Sequence, residues 1–269
     1  MTITFSTCFY IIKSKFDPTI YIQWMNNLIS IVSQFNLVIY TDVATSIYIK
    51  TNDNHRIKVV IKPMQEFYNY KYRNEWIENH RRNARLNEAT CWELNMLWSE
   101  KVWFVKETID NHYFDTDTYG WCDIGYFRNR PNDIHTNKLT NWGQMKCEQL
   151  VKLDNSKICY GCICNDDNYM NALRQIVVTK NQHGLPSQEI PAHQNSFAGG
   201  FFVIKKSLID WWANKYDTTL QLYFKHKYLV KDDQIIIADC ILSNQEHFNI
   251  FREDNSAYDN WFMFQRILS

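Results

Sequence analysis

The feature that most constrains the fold is an amphipathic helix pattern followed at once by a short, continuously apolar run. Tyr21, Trp24, Leu28, Val32 and Phe35 recur at spacings of three and four, which predicts a helix with one buried face. Residues 37–40 are then all apolar and lead into a threonine and an aspartate, as in a strand covered on both faces of a parallel sheet. A helix followed by a buried strand predicts an α/β fold with right-handed crossovers.

The start of the first helix is marked by capping residues. Asp17 is a suitable N-cap and Pro18 suits the first helical position. Phe16 and Tyr21 have the spacing of a hydrophobic staple across that start.

The same alternation continues to the end of the sequence. No linker or internal repeat is visible, so we predict one domain over residues 1–269, with a mostly parallel central sheet flanked by helices. The remaining predicted elements are strands at 3–12, 57–61, 119–124 and 197–206, a helix from Ala89, a helix opened by a capping box at 207–210, a helix over 233–243 and a long loop over 181–194.

Charge and cysteine content restrict the partners. The 29 Lys and Arg balance the 29 Asp and Glu, which argues against a nucleic-acid partner. No apolar run reaches the roughly 20 residues that a transmembrane segment needs, and the N-terminus does not resemble a signal peptide. Among the eight cysteines, Cys159, Cys162 and Cys164 are close enough to suggest zinc, but no second pair follows. Reduced thiols in a cytoplasmic protein are the preferred interpretation.

The sequence lacks the glycine-rich and catalytic motifs of several common enzyme classes. It contains no P-loop and no dinucleotide-binding fingerprint. It also contains no GxSxG and no HExxH. These absences argue against P-loop nucleotide hydrolases, Rossmann dehydrogenases, serine hydrolases and zincins.

An acidic residue at the end of a predicted strand is the first candidate site. Asp123 follows the apolar residues 119–122, where open α/β sheets bind ligands. Gly125 would permit close approach of the backbone to a ligand, and Arg128 could bind phosphate oxygens. The alternative is that Asp123 only caps the following turn.

Two further candidates lie later in the chain. Asp232 and Asp233 precede an apolar helix, where one of them can cap the helix and the other can face a ligand. Gly199 and Gly200 interrupt a strand, which indicates either tight packing or close approach of a ligand. The imidazole of His247 could complete a metal site, although a surface or core histidine is the preferred interpretation.

The order of these motifs resembles the HtrL/YibB family of bacterial glycosyltransferases. The runs WSEKVWFV at 98–105, NHYF at 111–114 and TYGWCDIG at 118–125 are similar to the family's lysine-bearing helix, its Asn-Pro-Phe-like turn and its Trp-x-Asp-x-Gly strand. The turn departs from the family because His-Tyr replaces the proline. The likeness covers residues 3–128 best, and AGGFF at 198–202 with the Asp-Gln pair at 233–234 extends it, more distantly also to glycogenin-type enzymes.

The resemblance implies a GT-A fold that binds a nucleotide sugar at the carboxyl edge of its sheet. It further implies Mn²⁺ or Mg²⁺ on the diphosphate, held by an Asp-x-Asp motif. Here Gly125 replaces the second Asp, so Asp123 needs a partner such as His247 or Asp232. The residues implied to bind the donor are Thr7, Tyr10, Asp42, Lys101, Asp123, Gly125, Arg128, Gly199 and Gly200.

The expected activity is therefore transfer of a sugar from a nucleotide-diphosphate sugar, UDP-linked, to a hydroxyl of a glycan or glycoprotein. Asp233, or its neighbour Asp232, would act as general base in an inverting enzyme. A nucleotidyltransferase is an alternative function. Such enzymes normally have a glycine-rich phosphate-binding loop after the first strand, and this sequence has no glycine there. A second alternative is a carbohydrate-binding protein that has the same fold but no activity. The replacement of the second Asp of the Asp-x-Asp motif by Gly125 favours this alternative.

Overall fold

A computed structural model describes residues 2–144, 153 and 156–269. Within these ranges the strands are β1 (Ile3–Cys8), β2 (Asn36–Thr41), β3 (Ile57–Ile61), β4 (Thr118–Cys122), β5 (Ile158–Cys162), β6 (Phe197–Lys205) and β7 (Phe248–Arg252). They form one seven-stranded sheet in the order β3-β2-β1-β4-β6-β5-β7. Neighbouring strands are parallel, except that β6 is antiparallel to both β4 and β5. The predicted mostly parallel α/β sheet is confirmed.

Helices cover both faces of the sheet and create two hydrophobic cores. Val38 and Tyr40 pack into one core, whereas Leu37 and Ile39 pack into the other. This two-sided burial explains why β2 is apolar at consecutive positions. The helices are α1 (Pro18–Ser30), α2 (Val43–Ser46), α3 (Arg73–Arg82), α4 (Trp92–Ser99), α5 (Lys101–Asp110), α6 (Asp167–Val178), α7 (Ile209–Lys225), α8 (Asp233–Ser243) and α9 (Phe264–Ile267).

The first helix begins as the sequence predicts. The Asp17 carboxylate accepts a hydrogen bond from the Thr19 backbone N–H at 2.9 Å, and Pro18 occupies the first turn. The rings of Phe16 and Tyr21 meet edge to face, with centroids 6.0 Å apart. The helix ends at Ser30, however, so the last two apolar residues of the predicted stripe lie in the buried connection to β2.

The single long helix predicted from Ala89 is wrong, because the structure has α4 and α5 with a break at Glu100. The buried Glu100 carboxylate accepts hydrogen bonds from the backbone N–H groups of Tyr68, at 2.6 Å, and Asn69, at 3.0 Å. Burial raises the pKa of Glu100 to about 8, although these donors favour its ionised form. The break places Lys101 at the start of a new helix.

Three predicted strands are longer than those observed, and one predicted cap is absent. β1 ends at Cys8, β4 at Cys122 and β6 at Lys205. Ser207 makes no capping hydrogen bond, because a 3-10 turn precedes α7. The sequence patterns predict none of the elements β5, α6 and β7.

The free thiols of the described ranges include Cys8, Cys91, Cys122, Cys162, Cys164 and Cys240, and β5 contains both Cys159 and Cys162. Cys147 falls outside the described residues. No helix within the described ranges is both long and apolar enough to cross a membrane.

Candidate functional site

The ends of three strands meet at one edge of the sheet and leave a cleft. β1 and β4 end there, and β6 begins there because it is antiparallel to β4. The cleft has a volume of about 250 Å³ and is lined by residues after β1 and β4, by the glycines of β6 and by the start of α8. Ligands of open α/β sheets bind at this kind of edge.

The ammonium group of Lys101 is the centre of the charged floor of the cleft. Its Nζ lies 2.9 Å from the Gly199 carbonyl oxygen, 2.9 Å from Oδ2 of Asp233 and 3.2 Å from Oδ1 of Asp123. Burial lowers the pKa of Lys101, but the two carboxylates outweigh burial and hold it above its ordinary value. The lysine is therefore charged, with the Gly199 carbonyl as its hydrogen-bond acceptor and the two carboxylates as its ion-pair partners.

Asp123 is held at the end of β4 by both its backbone and its side chain. Its backbone N–H donates to the Gly200 carbonyl at 2.8 Å, and its Oδ1 accepts from Nε1 of Trp121 at 2.6 Å. The side chain keeps 41% of its surface exposed. Its second oxygen, Oδ2, is thus the carboxylate oxygen of Asp123 that remains for a ligand.

The paired glycines of β6 make room for the two carboxylates. A Cβ atom on Gly199 would lie 2.6 Å from Oδ2 of Asp233, and one on Gly200 would lie 3.0 Å from Oδ2 of Asp123. Both separations are shorter than ordinary van der Waals contact. The sequence left open whether these glycines serve packing or a ligand; the structure shows that they admit the acidic side chains.

Gly199→Ala is expected to displace the Asp233 carboxylate and to lower turnover at least about tenfold, since a misplacement of about 1 Å can cost about a hundredfold. Turnover of a nucleotide sugar and the melting temperature would both be measured. Gly161→Ala is the matched control, because its Cβ would meet only the flexible side chain of Met263, at 3.0 Å. Equal turnover losses in both variants would contradict a specific role for Gly199.

The two acids at the start of α8 have different surroundings. Asp232 occupies the N-cap position without making a capping hydrogen bond, and its Oδ2 lies 2.9 Å from Nζ of Lys231. Asp233 is buried against Lys101. Burial raises the pKa of Asp233 and the neighbouring Asp232 adds to this, while Lys101 opposes it. Asp233 is therefore a more basic carboxylate than an exposed aspartate.

Most of the other predicted residues also line the cleft. Tyr10 does so while its hydroxyl donates to the Lys62 carbonyl at 2.8 Å. Gly125 lies in the wall, where a Cβ would meet the Trp24 ring at 2.7 Å, and Arg128 lies beside it.

Two of the predicted donor-binding residues are not among those that line the cleft. Thr7 is fully buried within β1. The Asp42 carboxylate caps α2, accepting from the Thr45 backbone N–H at 2.6 Å. The resemblance implies that Asp42 binds the donor, but its side chain caps the next helix instead.

His247 lies at the opposite edge of the sheet from Asp123. It precedes β7, which is parallel to β5 and therefore to β4, so His247 is at the amino edge and Asp123 at the carboxyl edge. Its ring packs on Trp211 with centroids 4.0 Å apart. The predicted pairing of His247 with Asp123 at one metal ion is therefore wrong.

The described residues of the cleft do not by themselves form a complete ligand set for a divalent cation. Oδ1 of Asp123 is bound by Trp121 and Lys101, and one oxygen each of Asp233 and Asp232 is paired with a lysine. No three His, Cys, Asp or Glu side chains of the described ranges are close enough to hold a metal ion. Carboxylate oxygens of the cleft that are not paired with a lysine include Oδ2 of Asp123 and the buried Oδ1 of Asp232, so most of the roughly six ligands of a hard divalent cation would have to come from phosphate and water.

Aromatic side chains form much of the cleft wall, a location that the sequence patterns do not predict. Trp98, from α4, is joined by Trp261 and Phe262 from near the C-terminus, and by Phe16 and Tyr21. The staple pattern identified the last two as helix-start residues. No local signal indicates that rings so far apart in sequence share one cleft.

The comparisons with known proteins add no relative. No model of a known protein family matches the chain, and no curated protein sequence matches it either.

Proposed function

We propose that this protein is a glycosyltransferase of the GT-A type. It would move a sugar from a nucleotide-diphosphate sugar, with UDP as the expected nucleotide, to a hydroxyl of a glycan or glycoprotein. One observation carries the proposal: Asp123 and Asp233 share the Lys101 ammonium at the carboxyl edge of the sheet, against two glycines. The resemblance to the HtrL/YibB family named the same residues for donor binding and catalysis.

The chemistry of sugar transfer assigns different tasks to the two carboxylates. Asp233 is the proposed general base, which takes the proton of the acceptor hydroxyl as the hydroxyl oxygen attacks the sugar carbon and the nucleoside diphosphate leaves. Its raised pKa, caused first by burial, makes it a better base than an exposed aspartate. Asp123 presents Oδ2 to the donor. In an enzyme that retains configuration, Asp233 would face the sugar instead.

The aromatic wall suits the proposed substrates. Aromatic rings pack on the apolar faces of sugars, and they also stack on nucleobases. The cleft offers Trp98 and Trp261 beside the charged floor, and Trp261 keeps 37% of its surface exposed. A cleft with a charged floor and aromatic sides matches a ligand that is part sugar and part nucleotide.

The proposal is tested by measuring the melting temperature with a panel of nucleoside diphosphates and nucleotide sugars. A ligand present at a hundred times its Kd stabilises the folded state by about 2.7 kcal/mol, so the donor would raise the melting temperature. A nucleotide sugar that binds, but whose sugar is neither transferred nor released by hydrolysis, would indicate an inactive carbohydrate-binding protein instead. A nucleoside triphosphate that binds and releases pyrophosphate would indicate the nucleotidyltransferase.

Asp123→Asn is expected to weaken binding of that donor at least about tenfold, the loss of one charge-assisted hydrogen bond of about 1.5–3 kcal/mol. The melting temperature without ligand should change little, because the amide retains an oxygen for Trp121. Asp110→Asn, which alters a surface carboxylate paired with Lys106, is the control and should bind normally. Wild-type donor affinity in Asp123→Asn would contradict the assigned role.

A further inference from the structure

The cleft contains a guanidinium group that the protein fixes in place without an acidic partner. Nε of Arg128 donates to the Gly125 carbonyl at 2.8 Å. The guanidinium carbon lies 4.3 Å from the centre of the Trp24 ring and 5.0 Å from that of Phe262. The backbone bond and the two rings restrain the side chain in one orientation beside Asp123 and Gly125.

The two outer nitrogens of Arg128 have no hydrogen-bond acceptor or carboxylate partner within the described ranges. The neighbouring Arg130 differs in this respect, since its NH2 group lies 3.0 Å from Asp133 and 2.8 Å from Asp259. Burial lowers the pKa of Arg128, and the positive charge of Arg130 adds to this. Arg128 is thus a partly buried cation whose two outer nitrogens are suited to bind two oxygens of one anion.

The two lysines that line the cleft, Lys15 and Lys101, are less suited than Arg128 to binding an anion. Lys101 already donates to the Gly199 carbonyl and is paired with the carboxylates of Asp123 and Asp233. Lys15 is exposed, and its ammonium lies 5.0 Å from the centre of the Trp98 ring. A fixed, planar guanidinium binds two phosphate oxygens at once, which a flexible ammonium does not.

We propose that Arg128 binds the diphosphate of the donor through its two outer nitrogens and is its principal counter-charge, so that binding requires no divalent cation. This inference rests on the proposed function for the identity of the anion. It agrees with a donor set in which Lys101 occupies the position between the two carboxylates. The leaving nucleoside diphosphate would then be stabilised by a protein cation already in position.

The test is calorimetric titration of the full chain with UDP, GDP, UMP and inorganic pyrophosphate, first with EDTA and then with MnCl₂. Wild-type protein should bind one nucleoside diphosphate in EDTA, with an affinity that MnCl₂ changes less than threefold. Arg128→Gln should lower that affinity at least about tenfold and should affect the monophosphate less. Arg128→Lys should recover only part of the loss, because the paired N–H groups are absent.

Arg130→Gln is the matched control, since it removes a neighbouring guanidinium that already has two carboxylate partners. Melting temperatures of all variants show whether each is folded. A diphosphate that binds only with MnCl₂, or equally to wild type and Arg128→Gln, overturns this inference and leaves the glycosyltransferase proposal standing. If pyrophosphate alone binds, or no nucleoside diphosphate binds under either condition, the proposed function fails and the inference fails with it.

Discussion

Asp233→Asn is expected to lower the rate of sugar transfer at least about a hundredfold, since general bases typically contribute about 10²–10⁴. The amide keeps the size of the side chain and its place beside Lys101, but it cannot accept a proton from the acceptor hydroxyl. Donor binding should persist, because the proposed diphosphate-binding residue, Arg128, is a different residue of the cleft. Steady-state kinetics on the donor and its acceptor, together with the Kd of the donor, separate the two effects.

The matched control is Asp239→Asn, which alters a second buried acid of α8 that lies outside the cleft. Asp239 pairs with Nζ of Lys180 at 2.6 Å and accepts from the Tyr223 hydroxyl at 3.0 Å. This variant should lose stability while the folded fraction retains its turnover. If Asp233→Asn behaves in the same way, Asp233 is structural and the proposed base is wrong.

The pH dependence of the wild type supplies an independent check on Asp233. Burial raises the pKa of Asp233 to about 6. A base must be deprotonated to act, so kcat/KM should be full above that pH and should fall as the pH decreases through it. An acidic limb near the ordinary aspartate value of about 3.9 would contradict the assignment.

Lys101→Met is expected to lower the free energy of unfolding by about 3–5 kcal/mol, because removing one partner of a buried ion pair leaves an uncompensated charge. The side chains of Lys101 and Asp233 are 9% and 6% exposed. Without the ammonium, the pKa of Asp233 should rise further, because burial and the nearby Asp123 both disfavour its charge. Turnover should fall together with stability.

This loss of stability would be measured by denaturant unfolding of three variants. They are Lys101→Met, Lys106→Met and the double variant that combines Lys101→Met with Asp233→Asn. Lys106 lies on the same helix and pairs with Asp110 and Asp210 near the surface, so its loss should cost about 0–1 kcal/mol. The double variant should recover part of the stability lost in Lys101→Met, because it contains no buried unpaired carboxylate at position 233. Equal stability of the two lysine variants would mean that the buried pair contributes nothing.

The local sequence was informative where the physical cause is local. The cap at Asp17 and the staple of Phe16 on Tyr21 depend on residues within a turn of one another. The apolar run of β2 reports burial on both faces of the sheet. The break at Glu100 escaped prediction because its cause lies in Tyr68 and Asn69, which meet it only in the folded protein.

The sequence indicates which candidate residues are acidic or metal-ligating types, but it does not show what they contact. Asp42 and Asp123 both follow buried strands, yet one caps a helix and the other lines the cleft. His247 has the right chemistry for a metal but lies at the wrong edge, a consequence of strand order that a single sequence does not show. The aromatic residues of the cleft wall could likewise not be predicted to lie together, because they come from distant parts of the chain. They are Phe16, Tyr21, Trp98, Trp261 and Phe262.

By itself the sequence determined an α/β chain with a mostly parallel sheet and an acid directly after its fourth strand, because periodicity and strand-end chemistry are encoded locally. Only the tertiary structure decided that Lys101 sits between Asp123 and Asp233 and that the glycines of β6 make room for both acids. It alone left Arg128 without a carboxylate partner in the described ranges. Pairing of charges depends on distances between residues remote in sequence, and those distances are set by packing of the whole sheet.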